Sequence, residues 1–293
     1  MKIVIRDDDL NHDFLIDHFK YYERIWENIP ITFFCVPSID FEWFKYLEVC
    51  EKIGPGCSSD FIVQKMNWYK ISKKISNNSI LLKYLKDKIG RGIISIGLHG
   101  SKHYQISKNK IIKNNFAFGA EYFFKKFSVS KILADKNYLE KFSDKVKWFA
   151  PPQNLISTEN ALNIFKAKMN LSTDLKILKD PRLFFKINLK DLFNILYWKF
   201  IKKIRFYYPF VINILGQKFV PVMRFNDQTD YNFLYNQILY LSKNGGECVV
   251  INTHLSAFEL KSKNNKTVGN NFIALIELLR KHDQFKFIKI NDL

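Results

Sequence analysis

Residues 92–103 read GIISIGLHGSKH, an apolar run that ends in two histidines. The run at residues 92–96 is short, rich in β-branched side chains and flanked by glycine, which predicts a buried strand. The chain beyond it has a helical pattern, and a helical turn would place His99 and His103, four residues apart, on one face. Two histidines on one face commonly bind one metal ion. We therefore predict a metal site directly after this strand.

An acidic triplet, Asp7-Asp8-Asp9, follows the first strand-like run at residues 2–6. A carboxylate is the usual third ligand beside two histidines in a hydrolase. Three adjacent carboxylates repel one another, and a cation or protonation relieves that repulsion. A solvated loop with one helix cap would also account for the triplet. Its position at a strand end favours the metal site.

Three further residues are candidates for a supporting role. His254 follows an apolar strand at residues 247–252, and we interpret it as a general acid near the metal, with a core or capping histidine as the alternative. Glu121 is expected on a solvated helix face, although it could support a ligand from behind. For Asp174, orienting His254 or a ligand and serving as a turn or cap residue both remain open.

Strand and helix patterns alternate along most of the chain. Strands are predicted at residues 2–6, 31–36, 93–96, 146–150, 170–173, 210–215, 218–223, 247–252 and 285–290, and helices at 12–27, 41–51, 61–70, 80–88, 159–168, 231–243 and 269–281. This alternation predicts an α/β fold with a mainly parallel sheet or barrel in one domain, residues 1–293, with a helical, aromatic and basic insertion at about 182–208. The acidic triplet, the two histidines, Asp174 and His254 all follow predicted strands, and the carboxyl ends of parallel strands are where such folds place their sites.

The chain of 293 residues is strongly basic, with a formal net charge of +18. Of its 46 basic residues, 39 are lysines spread along the whole sequence, among abundant Asn, Ile, Phe and Tyr. This pattern is typical of an AT-rich genome, so we expect no dedicated nucleic-acid binding. Peripheral contact with an anionic membrane surface remains open.

The cysteines and the amino terminus favour a cytoplasmic protein. Cys35, Cys50, Cys57 and Cys248 form no CxxC pair, and we expect reduced thiols. The amino terminus leads directly into a strand without the pattern of a signal peptide. No apolar run reaches the roughly 18 residues that a transmembrane helix needs.

Four ordered motifs carry a family resemblance: IRDDDL at 5–10, ITFF at 31–34, HGSKH at 99–103 and THL at 253–255. They resemble motifs of the polysaccharide deacetylases, the NodB-homology or carbohydrate esterase family 4 group. Within that group the chain is most similar to the divergent WbmS-like branch, which is linked to lipopolysaccharide and O-antigen biosynthesis. The resemblance implies a distorted (β/α) barrel of about seven parallel strands and one zinc ion at an Asp-His-His site.

The resemblance also implies roles for the acidic triplet. In that family the first Asp of a pair is the catalytic base and the second binds the metal. Two registers are open here: Asp8 as base with Asp9 as ligand, which we favour, or Asp7 as base with Asp8 as ligand. The two histidines of HGSKH complete the metal site, and His254 is the general acid that protonates the departing amine.

The third family motif differs in this chain. Family members usually have Arg-x-Pro-Tyr-Gly, whereas residues 149–153 read FAPPQ. The Arg that steadies the base is missing, and Pro152 has no N–H for an oxyanion. We expect Arg6 to supply the guanidinium, and the metal or the amides of Gln153 or Asn154 to serve the oxyanion.

Together these features predict a metal-dependent deacetylase. Its expected substrate is an N-acetylated sugar or sugar precursor in the biosynthesis of a bacterial surface polysaccharide. One alternative is a metal-dependent phosphoesterase. Another is a non-catalytic carbohydrate- or partner-binding protein on the same fold, with the insertion as its contact surface.

Overall fold

The computed structural model describes residues 1–27, 29–53, 65–103, 120–204, 207–262 and 264–293. The strands in these ranges are β1 (Lys2–Leu10), β2 (Ile31–Cys35), β3 (Ser38–Phe41), β4 (Trp68–Lys74), β5 (Ile94–His99), β6 (Trp148–Ala150), β7 (Asn170–Thr173), β8 (Ile212–Ile214), β9 (Gln217–Pro221), β10 (Met223–Arg224), β11 (Cys248–Thr253) and β12 (Lys286–Ile288). The α-helices are α1 (Lys20–Glu23), α2 (Trp43–Ile53), α3 (Ser79–Gly90), α4 (Glu121–Phe124), α5 (Val129–Leu139), α6 (Thr158–Lys166), α7 (Pro181–Phe184), α8 (Leu189–Leu196), α9 (Tyr231–Lys243) and α10 (Val268–Arg280).

Ten of the described strands form one sheet, in the order β10-β11-β1-β2-β5-β6-β7-β9-β8, with β12 beside the start of β1. Neighbouring strands are parallel except in the β8–β9 hairpin. The seven consecutive strands from β11 to β9 form the parallel centre of the sheet. β3 and β4 pair separately and antiparallel. The prediction of an α/β fold built on a distorted parallel barrel is confirmed.

A contact across the sheet shows how strongly it curls. Arg6 on β1 donates from Nη1 to the carbonyl oxygen of Ser172 on β7 at 2.8 Å. β1 and β7 are four places apart in the strand order, and a flat sheet would separate them by about 19 Å. An arginine side chain cannot span that distance. The sheet is therefore curled into a half-barrel, with Arg6 inside it.

Apolar side chains cover both faces of the curled sheet, as parallel sheets require. The concave face holds a small buried cluster, contributed by Val4, Phe34, Trp148, Ala150, Val220, Val222, Val250, Ile288 and Ile290. A larger cluster lies between the convex face and the helices. The polar residues of the site stand at the carboxyl ends of strands whose lower parts are fixed by this packing.

The insertion is helical, as predicted. Asp180 caps α7 and Asn188 caps α8, each through its side chain. α8 continues into a π-helical turn, Tyr197–Ile201. Ile187 forms a bridge with Ile214, which ties the insertion to the β8 edge of the sheet.

Two predicted helices differ from the structure. In place of the helix at 12–27, residues 16–19 form a 3-10 turn and α1 spans only Lys20–Glu23. Asn11 accepts the N–H of Asp13 through its side chain, and this local turn competes with an earlier helix start. Of the helix predicted at 61–70, residues 68–70 belong instead to β4, because pairing with β3 outweighs local propensity there. Residues 61–64 lie outside the described residues.

Cys35 and Cys248 are buried free thiols. The side chains of Cys50 and Cys57 lie outside the described part of the chain. None of the described helices combines the length and the apolar character needed to cross a bilayer.

Candidate metal centre

A bulge in β1 sets the direction of Asp9. Asp7 pairs with Phe33 and Leu10 pairs with Cys35, so β1 has one residue more than β2 between these pairs. Such a bulge redirects a side chain, and Asp9 accordingly has a left-handed backbone with φ 73°. The simple alternation of a strand, which would point Asp7 and Asp9 the same way, is broken at this position.

Asp9 meets both histidines of the HGSKH motif. Its Oδ1 lies 2.9 Å from Nε2 of His99 and 2.9 Å from Nε2 of His103. One ligand atom from each of these three buried residues lies within 4.8 Å of the others. Ligands around a tetrahedral zinc ion are about 3.3 Å apart, given Zn–N and Zn–O bonds of about 2.0–2.1 Å. The predicted metal ligands are therefore brought together at a spacing that suits one small divalent ion.

Several polar atoms of this cluster are buried without a hydrogen bond in the described structure. They are Oδ1 of Asp9, both ring nitrogens of His99 and Nδ1 of His103. Oδ1 of Asp9 and Nε2 of His99 are close, yet they are not aligned as donor and acceptor. Buried polar atoms without partners are rare, and a cation between Asp9 and the two rings would satisfy Oδ1 of Asp9 and Nε2 of His99. Two imidazoles and one carboxylate fit zinc.

The charges around Asp9 favour its ionised form. Burial alone would raise the pKa of the Asp9 carboxyl, but His103 and His254 lower it well below its usual value. Burial lowers the pKa of His103, and the neighbouring Asp9 carboxylate more than offsets this, so that the pKa is raised. A negative oxygen thus lies at the centre of a cluster of imidazoles.

The predicted helical turn between the histidines is wrong. His99 is the last residue of β5, and residues 101–103 form a bend. Gly100 has φ 66° and His103 has φ 61°, so the backbone passes twice through the left-handed region. This path, and not a helix face, brings the two rings to 5.1 Å between centroids.

Glu121 stabilises this bend through hydrogen bonds. The expectation that Glu121 lies on a solvated helix face is wrong. Glu121 is 3% exposed, and its Oε1 accepts the N–H groups of Ser101, Lys102 (3.1 Å) and His103 (3.3 Å). Burial raises the pKa of Glu121, and the bonds from these amides oppose that effect. A side chain at Gly100 would collide with the Glu121 carboxylate and with Pro152. The bend therefore needs both a carboxylate and a glycine.

The ring of His103 is also fixed by packing. Trp43, which is fully buried, meets it edge to face with ring centroids 5.0 Å apart. No local pattern in the sequence points to Trp43, because it precedes His103 by 60 positions. Only the folded chain brings them together.

Asp8 lies inside the barrel and is paired with Arg6. Arg6 donates from Nε to Oδ1 of Asp8 at 2.8 Å and from Nη2 to Oδ2 at 2.5 Å. Burial would raise the pKa of Asp8, but the guanidinium of Arg6 and the nearby His99 lower it. Asp8 is therefore a buried carboxylate held in one orientation. The guanidinium expected from β1 is in place.

The remaining donors of Arg6 are also bonded. Nη2 donates to Oδ1 of Asn154 at 3.0 Å, and Nη1 donates to Oγ of Ser172 at 3.1 Å. Sequence reasoning missed Ser172, which nothing distinguishes from other strand serines. The backbone N–H of Asn154 donates to the carbonyl of Pro151 at 2.9 Å. That amide, one of the two expected oxyanion donors, is already engaged.

Asp7 points to the other side of β1, away from Asp8. The hydroxyl of Tyr22 donates to Oδ2 of Asp7 at 2.6 Å, and Asp7 is 1% exposed. Burial raises the pKa of Asp7 well above its usual value, although the bond from Tyr22 opposes it. Asp7 is packed between the sheet and the helices.

His254 reaches the cluster from the end of β11. Its Nε2 lies 3.7 Å from Oδ2 of Asp9, and about a third of its side chain, 35%, is exposed. Asp174 instead accepts from Nη2 of Arg224 at 2.6 Å. The structure thus places His254 beside Asp9 and pairs Asp174 with Arg224.

Two clefts open near Asp174, which lines both of them. One, of about 820 Å³, is lined by Asp174, Val222 and side chains of the insertion. The other, of about 450 Å³, includes Asn154, Asp174 and Arg182. Asn154 contacts Arg6, so the smaller cleft approaches the Asp8 side of the site. Asp9, His99 and His103 are not among the described residues that line either cleft.

No profile of a known protein family and no curated protein matches the sequence. Solved structures do match. The chain is similar to carbohydrate esterase family 4 structures. One is the family 4 domain of a multidomain xylanase from the hindgut metagenome of Trinervitermes trinervoides, with 11% identity and a TM-score of 0.43 over 99% of this chain and 88% of that one.

Two further similar structures differ in what their names say of activity. A family 4 acetyl xylan esterase from Clostridium thermocellum, in complex with a cobalt ion, has 12% identity and a TM-score of 0.44 over 100% of this chain and 89% of that one. A family 4 pseudoenzyme from Bacillus anthracis has 11% identity and a TM-score of 0.39 over 100% of this chain and 64% of that one.

Proposed function

We propose that the protein is a metal-dependent deacetylase that hydrolyses the N-acetyl amide of a sugar or sugar precursor in bacterial surface polysaccharide biosynthesis. One observation carries this proposal: the ligand atoms of Asp9, His99 and His103 converge at the carboxyl ends of β1 and β5. The ion-paired Asp8 directly precedes Asp9. The four sequence motifs resemble those of polysaccharide deacetylases, and for this reason we propose an amide as the substrate.

The ligand set determines what chemistry the centre offers. Asp9, His99 and His103 would hold the ion, which when bound supplies Lewis-acid polarisation of the amide carbonyl. The bulge at Asp9 and the bend held by Glu121 keep the ligands in position before the ion binds. Preorganised ligands of this kind reduce the rearrangement that binding requires.

In this proposal Asp8 is the general base. Its two oxygens accept from Arg6, and lone pairs remain on each oxygen to take the proton of the attacking water. Arg6 keeps Asp8 ionised and in one orientation. Asp7 is bonded to Tyr22 and its raised pKa favours the neutral form, which supports the register with Asp8 as base and Asp9 as ligand.

His254 is the general acid of the proposal. It is exposed enough to meet a substrate and lies 3.7 Å from Asp9, at the metal centre. An imidazolium at this position would protonate the amine as the amide bond breaks. Because Pro152 has no N–H and the amide of Asn154 is bonded to Pro151, the backbone amide of Gln153 is the donor of this loop that would serve the oxyanion, in addition to the polarisation that a bound ion would supply.

The test is acetate release from a panel of N-acetylated nucleotide sugars and oligosaccharides, measured on zinc-loaded protein. We expect release that a chelator abolishes and added zinc restores. Asp8→Asn should lower kcat by about 100-fold or more. Asp7→Asn, the matched control one residue away, should keep kcat within about twofold, because the amide can still accept from Tyr22.

Two results would count against this assignment. Loss of activity in Asp7→Asn with activity retained in Asp8→Asn would move the base to Asp7. Absence of acetate release over the whole panel, from protein that contains zinc, would remove the deacetylase proposal itself.

A further inference from the structure

The insertion carries an apolar helix face that is open to solvent. α8 and the π-helical turn after it expose five large apolar side chains, which we name the aromatic stripe. Their exposed fractions are 67% for Leu189, 63% for Phe193, 45% for Tyr197, 57% for Phe200 and 68% for Ile201. Their spacing along the chain puts them on one side of the helix. Contiguous exposed apolar surface of this kind marks an interaction site.

The opposite side of the same helix already packs on the protein. Ile195 and Trp198 are each 4% exposed, and Leu192 packs against the main core. The helix is therefore apolar on both sides. The stripe is the part of this apolar helix surface that the described residues leave exposed, and its burial against an apolar neighbour would be favourable.

The surroundings of the stripe are positively charged. Residues 175–204 contain eight basic and two acidic residues. Both acidic side chains are bonded within the protein, Asp180 to Arg182 and Asp191 to the backbone N–H of Asn213. The lysines therefore dominate the charge of this surface.

Some of these lysines lie among the rings of the stripe itself. The Nζ of Lys199 is 5.2 Å from the centroid of the Phe200 ring, and that of Lys202 is 5.7 Å from the Tyr197 ring. Lysine side chains that lie along apolar surface keep their charged ends in water. The surface thus combines an apolar centre with a cationic border.

We propose that the aromatic stripe docks the protein on the surface of a membrane that contains anionic phospholipid. Helices that lie in the membrane interface pair Phe and Leu on one face with Lys beside them, and anionic headgroups attract the lysines. A second copy of the chain fits less well, because a symmetric dimer would bring the same lysines against each other. This inference goes beyond the proposed function and does not depend on it.

The test is co-sedimentation with vesicles, using the full chain. One set contains phosphatidylglycerol and phosphatidylcholine in equal parts, and the other contains phosphatidylcholine alone. We expect the wild type to bind the anionic vesicles and to bind the neutral ones far less. Phe193→Ser/Phe200→Ser should reduce the bound fraction on anionic vesicles by about tenfold.

The matched control is Phe233→Ser/Tyr240→Ser on α9. Phe233 and Tyr240 are exposed to a similar degree, 62% and 50%, but lie outside the stripe. This variant should bind anionic vesicles as the wild type does. Thermal melting of both variants checks that these surface changes leave the fold intact.

Each contrary result overturns the proposal. If the wild-type protein stays in the supernatant with anionic vesicles, that result alone overturns the proposal, whatever the variants do. Equal binding by the stripe variant, or equal loss in the α9 variant, places the contact elsewhere. A stable dimer in light scattering that becomes a monomer in the stripe variant assigns the stripe to a second copy. None of these readouts requires catalysis, so they are independent of the deacetylase test.

Discussion

Arg6→Met should lower the free energy of unfolding by about 3–5 kcal/mol, because it leaves the Asp8 carboxylate buried without its counter-charge. Asp8 is 1% exposed, so water cannot take the place of the guanidinium. The variant loses two charge-assisted hydrogen bonds to Asp8. It also loses the bonds from Arg6 to Ser172 and Asn154 that join β1 to the far side of the barrel.

The assay is urea unfolding of the wild type, Arg6→Met, Asp8→Asn and the double variant at neutral pH. If Arg6 and Asp8 are coupled, the double variant should lose about 2 kcal/mol less free energy of unfolding than the sum of the losses in the two single variants. Arg224→Met is the control. Arg224 pairs with Asp174 near the surface, with 47% of its side chain exposed, so this change should cost less than about 1 kcal/mol.

Two outcomes would refute this reasoning. Arg6→Met within about 1 kcal/mol of the wild type would mean that Asp8 is solvated or neutral rather than ion-paired. Additive single changes would mean that Arg6 and Asp8 act independently. In either case Arg6 would not be the group that keeps Asp8 ionised as a base.

Three other predictions concern the bend and the buried thiols. Gly100→Ala should destabilise the protein by about 1–3 kcal/mol in urea unfolding and weaken zinc binding, since its Cβ would meet Pro152 at 2.6 Å. The control Gly216→Ala, with φ 76° but no heavy atom within 4 Å of the added Cβ, should lower the free energy of unfolding by only about 1 kcal/mol. Equal losses of stability in the two variants would show that no collision occurs at Gly100. Glu121→Ala should lower the free energy of unfolding in urea by about 2–4 kcal/mol, because three backbone amides lose their acceptor. Glu121→Gln should lower it by less. Unchanged stability in Glu121→Ala would show that the amides have other hydrogen-bond acceptors. Burial raises the pKa of the Cys248 thiol to about 12, so iodoacetamide at pH 8 should label Cys248 only after the protein is unfolded in urea. Mass spectrometry of the peptide that contains Cys248 measures the labelling. Labelling of the native protein would show that the thiol is accessible.

The sequence predicts those features of the fold that depend on local pattern. Buried parallel strands appear as apolar runs, and the polar residues that follow such strands are expected to meet at one end of the sheet. Asp9, His99 and His103 do meet there. The coarse location of the site therefore followed from strand order and chain direction alone.

The details that orient the ligands depend on contacts between distant segments. Glu121 bonds to the amide of Ser101 across 20 positions, and Trp43 packs on His103 across 60. The helical spacing of the histidines suggested a turn of helix, whereas the left-handed backbone at Gly100 makes a bend. Local spacing cannot distinguish these two paths, because both bring residues four apart into contact.

The most direct test of the metal centre is the metal content of purified protein, measured by elemental mass spectrometry after incubation with zinc and removal of excess ion. The predicted result is one zinc ion per chain in the wild type, and none in Asp9→Asn or in His99→Ala/His103→Ala. His282→Ala is the matched control, because His282 is bonded to Tyr235 and should leave the zinc content unchanged. A wild type without zinc, or variants that keep it, would contradict the assignment of Asp9, His99 and His103 as metal ligands.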